Sequence, residues 1–168
     1  MSTLSVDGQA ISRRGSVSTH LSDAVDALAR VLTRWSVPAL RVALGLVFLG
    51  FGVLKLFPGA SPAEVVAERT IDTLTLGLVH GPVAVIGTAV VECFIGITLV
   101  TGYLLRAGLV VMAGAFVGIL APTVLFFDEL FGSGMTLLGQ YVLKDVVLVA
   151  AATVVGAYAL GARLRRAG

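Results

Sequence analysis

The sequence predicts an all-α integral membrane protein: a four-transmembrane-helix bundle with N and C termini cytoplasmic, plus an N-terminal amphipathic helix and a short outer-surface helix. Three observations predict it. First, 57% of the 168 residues are hydrophobic and only 13% charged, where a soluble domain carries about 25% charge. Second, four apolar runs, at about residues 37–57, 82–103, 107–127 and 138–160, each have the ~20 residues needed to cross a hydrocarbon core of ~30 Å. Third, the basic residues collect on one side of the membrane that these runs define. Arg13, Arg14, Arg30, Arg34, Arg106, Arg163, Arg165 and Arg166 fall on the side of the termini, whereas Glu64, Glu68, Asp72, Asp128 and Glu129, with only Arg69 among them, fall on the other. That separation follows the positive-inside rule.

Along the chain, residues 1–18 are rich in Ser, Gly and charge and read as a disordered cytoplasmic tail. The first 30 residues carry Arg13, Arg14, Asp23, Asp26 and Arg30 with no apolar core that a signal peptidase could follow, so the first span is expected to stay in the protein. In residues 19–35, Leu21, Val25, Leu28, Leu32 and Trp35 recur at helical spacing. They form either an amphipathic helix on the inner leaflet or a plain extension of the first span. The membrane domain occupies residues 36–162, and residues 163–168 are a basic cytoplasmic tail. Its first outer loop, about residues 62–79, reads as a helix: Ser61 as N-cap, Pro62 at the first position, Glu64 in the capping-box place, Val66, Ile71, Leu74 and Leu78 on one face, and Gly81-Pro82 as the stop. This helix is either a lid over the bundle mouth or a docking surface. Pro122 is expected to kink the third span or end it early. The loop "FFDELFGSGM" is expected to be flexible at Gly132 and Gly134.

Small residues mark close helix approach in lipid, and three such spacings occur: Gly114-x-x-x-Gly118, Ala152-x-x-x-Gly156 and Ala157-x-x-x-Gly161. The intramembrane charges add a sharper constraint. At about 100° per residue, Arg41, Gly45, Phe48, Gly52 and Lys55 share one face of the first span, and Thr88, Glu92 and Gly96 one face of the second. In the fourth, Leu138, Tyr141, Asp145, Ala152 and Gly156 form one stripe, and Gln140, Lys144, Leu148 and Ala151 its neighbour. The third span carries no charge and reads as structural. Glu92 should lie about 15 Å below the outer end of its span, and Lys144 and Asp145 about 10 Å below theirs. On these depths Lys144 pairs with Glu92 and Lys55 with Asp145, with Arg41 an alternative partner for Glu92. Adjacent helix positions do not face each other, so Lys144 and Asp145 are not expected to satisfy one another.

A charge in the bilayer centre costs about 2.5 to 3.5 kcal/mol on insertion scales. Arg41, Lys55, Glu92, Tyr141, Gln140, Lys144 and Asp145 are therefore the candidate residues for a ligand site or polar network. The competing reading is a set of ion pairs that fixes helix register, with Arg41 and Lys55 snorkelling to the interface. Cys93, the single cysteine, supports no disulfide or Cys-x-x-Cys chemistry and reads as a small packing residue.

The charge-bearing stretches resemble those of one family. "LRVALGLVFLGFGVLKL" is similar to the first span of the DoxX-like superfamily, with its Arg, then Gly, then Gly-x-x-Lys rhythm. "VECFIGITLVTG" is similar to the second span, and "GQYVLKDVVLVAAA" resembles the last, above all in the YkgB-type branch, where a Lys-Asp pair precedes an apolar run. The resemblance covers about residues 39–162 and implies a multi-pass bundle in a bacterial cytoplasmic membrane. It also implies redox associations: thiosulfate-quinone oxidoreductase subunits, oxidative-stress complexes and quinone-linked systems. Arg41, Lys55, Glu92, Lys144 and Asp145 match the family's polar positions. The N-terminal extension and the capped outer helix depart from the pattern.

Three functions are compatible with these features. One is a membrane subunit of a redox or oxidative-stress-linked assembly that holds a quinone or lipid among the inward charges. The second is an accessory or assembly subunit, and the third a small proton-coupled transporter, for which no inverted repeat is evident. Membrane lipids, other membrane proteins or a second copy are the expected partners, and nucleic acid is not. No metal site is expected. His20 and His80 lie too shallow for a haem pair, no cysteine cluster suits an iron-sulfur centre, and no dinucleotide-binding glycine loop is present. The chain is accordingly not expected to be catalytic on its own, and quinone is the one cofactor implied.

Overall fold

The structure, a computed structural model, describes the backbone of residues 5–57, 59–61, 64–132 and 134–163, and side chains from His20 onward. The expectations for Pro62, for Arg165 and Arg166, and for the side chains of the N-terminal tail, Arg13 and Arg14 included, lie outside the described residues. Two compact units are formed, one of the described residues up to Pro38, the other Ala39–Arg163.

Among the described residues the secondary structure is helical, apart from an isolated bridge between Gly132 and Gly134. Helix α1 is Ser5–Leu54, α2 Glu64–Leu74, α3 Gly81–Thr101, α4 Leu105–Leu120, α5 Pro122–Leu125, α6 Phe127–Phe131 and α7 Leu137–Ala159. Four segments are long and apolar enough to cross a membrane: His20–Leu54, Gly81–Thr101, Leu105–Leu125 and Leu137–Ala159. The protein is therefore a multi-pass membrane protein, and the first of the four segments begins at His20, well before the span read at about residues 37–57.

In the N-terminal unit the apolar stripe Leu21, Val25, Leu28, Leu32 and Trp35 is exposed along α1, with the Arg34 guanidinium 5.7 Å from the Trp35 ring centroid. Pro38, which has no amide hydrogen to give, stands inside α1 at the boundary of the two units.

The Ala39–Arg163 unit is organised by one glycine-mediated crossing. A β-carbon on Gly96 of α3 would lie 2.6 Å from Leu49 N and 2.8 Å from Gly45 O of α1. One on Gly52 would lie 2.8 Å from Cys93 Sγ and 3.0 Å from Ala89 O. Backbone therefore touches backbone at both ends of the α1–α3 contact, an approach only glycine permits. Below it, Leu44, Phe48, Ile95, Leu99, Met112, Phe116, Ala152 and Val155 form the core shared by α1, α3, α4 and α7. Phe48 and Phe116 meet edge to face at 5.9 Å, a favoured geometry for the ring quadrupoles. The glycine spacing singled out in α4 plays no such part: β-carbons on Gly114 and Gly118, and on Gly156 of α7, would meet nothing within 4 Å.

The breaks follow local chemistry. Gly102 closes α3 in the left-handed region, at φ 77°, its amide donating to Thr98 O. Pro122 cannot donate an amide hydrogen, and α4 stops at Leu120 before a further turn, α5, completes the span, as its position predicts. Within the stretch read as a loop, Phe127–Phe131 forms α6, ahead of Gly132 and Gly134, and Thr136 caps α7 by accepting from Gly139 N at 3.0 Å. Helix α2 ends earlier than expected. Gly77, at φ 81°, donates to Asp72 O and terminates it, while Gly81-Pro82 opens α3 instead. The capping box at its start also differs: Ser61 Oγ is buried without a partner, and Glu64 reaches back to accept from Gly59 N at 2.8 Å.

Candidate functional site

The α1–α3 crossing determines where the charges go. With Gly52 seated on Ala89 and Cys93, the next turn of α1 brings Lys55 beside Glu92. Lys55 Nζ donates to both carboxylate oxygens of Glu92, at 2.6 and 2.5 Å. Lys55 is only 6% exposed and Glu92 9%. This corrects the pairing expected from depth along the spans, in which Lys144 met Glu92 and Lys55 met Asp145. Counting residues from the span ends treats the helices as parallel posts. The glycine crossing instead brings the end of α1 down against the middle of α3.

Lys144 occupies a different environment. Its Nζ lies 4.1 Å from the Tyr141 ring centroid and 4.5 Å from that of Phe51, within the range of cation–π attraction. The same Phe51 ring lies 6.0 Å from Lys55 Nζ, so one aromatic ring neighbours two ammonium groups. Asp145 is half-buried. The two ion pairs among the described residues, Lys55–Glu92 and Arg69–Glu129, include neither Lys144 nor Asp145, in keeping with their adjacent positions on one helix.

These groups line a cavity of ≈ 600 Å³, within the range of about 300–1,000 Å³ typical of small-molecule sites. Lys55, Glu92, Tyr141, Lys144 and Asp145 all border it, and most of the remaining wall is aliphatic. Gln140 and Arg41 do not border it. Gln140 is exposed on the outer side of α7. The Arg41 guanidinium sits against Gly102 at the C-terminal end of α3, where a β-carbon would come within 2.9 Å of it. That position suits a cation near a helix C-terminus and removes Arg41 as a partner for Glu92.

The cavity also recruits residues outside the sequence-based set. Phe51 lies one turn before Lys55, so helical spacing alone could have identified it. Gly114 and Gly118 bring α4, read as purely structural, into the wall. Val66, Thr70 and Ile71 of α2 border the cavity as well, with Val66 and Thr70 buried. The amphipathic pattern of α2 signalled a buried face but not what that face covers. On its exposed side α2 is tied to α6: Arg69 donates to Glu129 through two hydrogen bonds of 2.8 and 3.0 Å. The Arg69 guanidinium stacks 4.5 Å from the Phe126 ring centroid. The hydrogen bond and charge of Arg69 hold the Glu129 carboxyl below its usual range, and Glu129 in turn raises Arg69.

A protein-family model described as DoxX matches residues 36–129, more than half of the chain. The chain belongs to the DoxX family. The matched region carries Arg41, Lys55 and Glu92 together with α2 and α4, whereas Gln140, Tyr141, Lys144 and Asp145 lie on α7 beyond it. The buried ion pair of this DoxX-family chain thus falls inside the matched region, and the cavity-lining residues of α7 outside. Neither the curated proteins nor the solved structures contain a match to it.

Proposed function

We propose that this DoxX-family chain is a membrane subunit of a redox or oxidative-stress-linked assembly that holds a quinone or lipid head group at the Lys55, Glu92, Lys144 and Asp145 cluster. One observation carries the reading: an aliphatic cavity inside the membrane-spanning unit, interrupted on one side by a buried ion pair and two further charged groups. Packing alone does not require intramembrane charge, which is expensive and marks function by default.

The residues present suit a quinone. Two ammonium groups and two carboxylates border the cavity, so their formal charges cancel and favour a neutral, hydrogen-bonding head over an anionic one. Lys144, Lys55 and the Tyr141 hydroxyl are the available donors, and Asp145 the acceptor not committed to an ion pair. A bound quinone would supply the electron chemistry. The chain itself would bind and orient the ring and exclude water beneath α2. By the same reading, the arginine distribution orients the protein in a bacterial cytoplasmic membrane with both termini inside and α2 and α6 outside. Electrons would come from partner proteins of the assembly.

The test is extraction of quinones and lipids from protein purified in mild detergent. The expected result is a stoichiometric quinone that is retained by the wild type and lost from Asp145→Asn and Glu92→Gln. Asp145→Asn guards against a folding artefact, because it leaves the Lys55–Glu92 pair intact. A quinone-free wild type whose removal breaks up a larger membrane complex would sink the quinone reading in favour of an assembly role.

A further inference from the structure

The cavity has a polar end and an open flank, and the flank consists of two short helical stretches. On α3 it is bordered by Val83, Gly87 and Val91, and on α4 by Gly114, Val117 and Gly118. All but Gly118 are exposed, Val83 at 69% and Val117 at 68%. A β-carbon on any of the three glycines would meet nothing within 4 Å. Where α3 and α4 do pack, near their connecting turn, the arrangement is opposite: Gly108 is buried against Thr98. The two helices are thus joined at one end and leave unfilled space at the other, beneath α2, at the depth of the hydrocarbon core. The one hydroxyl on that stretch of the cavity wall, on the half-buried Thr88, donates to Val85 O within α3.

We infer that the α3–α4 flank is a lateral portal and tail subsite, through which the hydrocarbon chain of a membrane amphiphile passes from the bilayer into the cavity. The inference rests on the head-group reading of the Lys55–Glu92 cluster and extends it from the head to the tail. A hydrocarbon chain is the occupant because the flank opens within the membrane-spanning stretches of α3 and α4. There lipid is the solvent, and the glycines leave a smooth apolar slot. The tail's source is either an isoprenoid-type quinone or a phospholipid, and these share the chemistry the slot would recognise.

The experiment compares four proteins in micelles: wild type, Gly87→Leu, Gly118→Phe and Gly50→Leu. Gly50 is an equally open glycine on α1 that does not border the cavity. Thermal melting of the three variants should be close to wild type, since a β-carbon at any of these positions meets nothing within 4 Å. The probes are decylubiquinone, its tail-free benzoquinone head, and phosphatidylethanolamine, read by native mass spectrometry and equilibrium binding. Gly87→Leu and Gly118→Phe should weaken decylubiquinone by about tenfold or more through lost burial of methylene groups, and leave the tail-free head and the Gly50→Leu control unchanged. If the wild type retains phospholipid but not decylubiquinone, the quinone reading fails. The portal then stands or falls on whether the same two variants release the phospholipid. Unchanged tail binding in both variants, equal loss of the tail-free head, or a wild type that holds neither amphiphile overturns the portal.

Discussion

At the scale of the residue, Lys55 and Glu92 exemplify charge that is tolerable only in company. Each is buried and each is the other's partner. Removing one side of a buried ion pair leaves an unpaired charge and costs about 3–5 kcal/mol, whereas replacing both by apolar groups is often close to neutral. Lys55→Met and Glu92→Leu should therefore each lower the melting temperature sharply in detergent, and the double variant should recover most of the loss. A double variant as unstable as the sum of the singles would show that the pair is not the interaction that matters. The residue types at this site were legible in the sequence: four of the charged residues selected there, with Tyr141, border one cavity. Their pairing was not legible, because partner choice depends on interhelical depth, which no single helix encodes. Arg41 shows the same limit, since its stripe on α1 is shared with Lys55 although Arg41 sits against the end of α3 and Lys55 against its middle.

At the scale of the element, two contacts govern the arrangement. The α1–α3 crossing depends on Gly45, Gly52 and Gly96, each with backbone atoms where a side chain would be. Gly96→Leu should abolish folding, as judged by aggregation or loss of a monodisperse peak in size exclusion, while Gly156→Ala should be nearly silent. The second contact ties α2 to α6 through Arg69 and Glu129. Glu129 is held below its ordinary value of 4.5 by the hydrogen bond and charge of Arg69. The contribution of this pair is therefore fully present above that ordinary value and fades as pH falls through the lowered one. Both side chains are about half exposed, so salt should screen the pair and its effect should be small. Amide protection in α2, after correction for the intrinsic pH dependence of exchange, is expected to fall in acid and at high salt, and Glu129→Gln should remove the acid dependence. Protection that does not change with pH in the wild type would show that α2 is held by Val66 and Thr70 alone. The number of the apolar segments was readable because hydropathy reports a property of each segment separately, whereas the start of the first, at His20, was not. The termination of α2 at Gly77 and the helix α6 were not, because both rest on turn geometry and on packing against other elements.

At the scale of the whole molecule, the charge separation predicts topology. With termini inside, Thr73→Cys on α2 should react with an impermeant thiol reagent applied to intact cells, and Ala162→Cys only after lysis. Both positions are exposed, and the native Cys93 is partly buried, so background labelling should be low. Labelling of Ala162→Cys from outside would invert the proposed orientation and place the cavity roof in the cytoplasm.

The amino-acid sequence by itself determined that this chain is a helical membrane protein with four segments able to cross, and which of those segments carry charge. Hydropathy and helical periodicity are local quantities, and they survive whatever the neighbours do. Tertiary structure alone decided that Lys55 takes Glu92, that Lys144 rests on Phe51 and Tyr141, and that α2 roofs a cavity walled partly by an uncharged helix. Those outcomes depend on how closely two helices approach and at what angle they cross. Here the deciding contacts are three glycines of α1 and α3, whereas the glycines of α4, spaced as if for packing, are left facing open space.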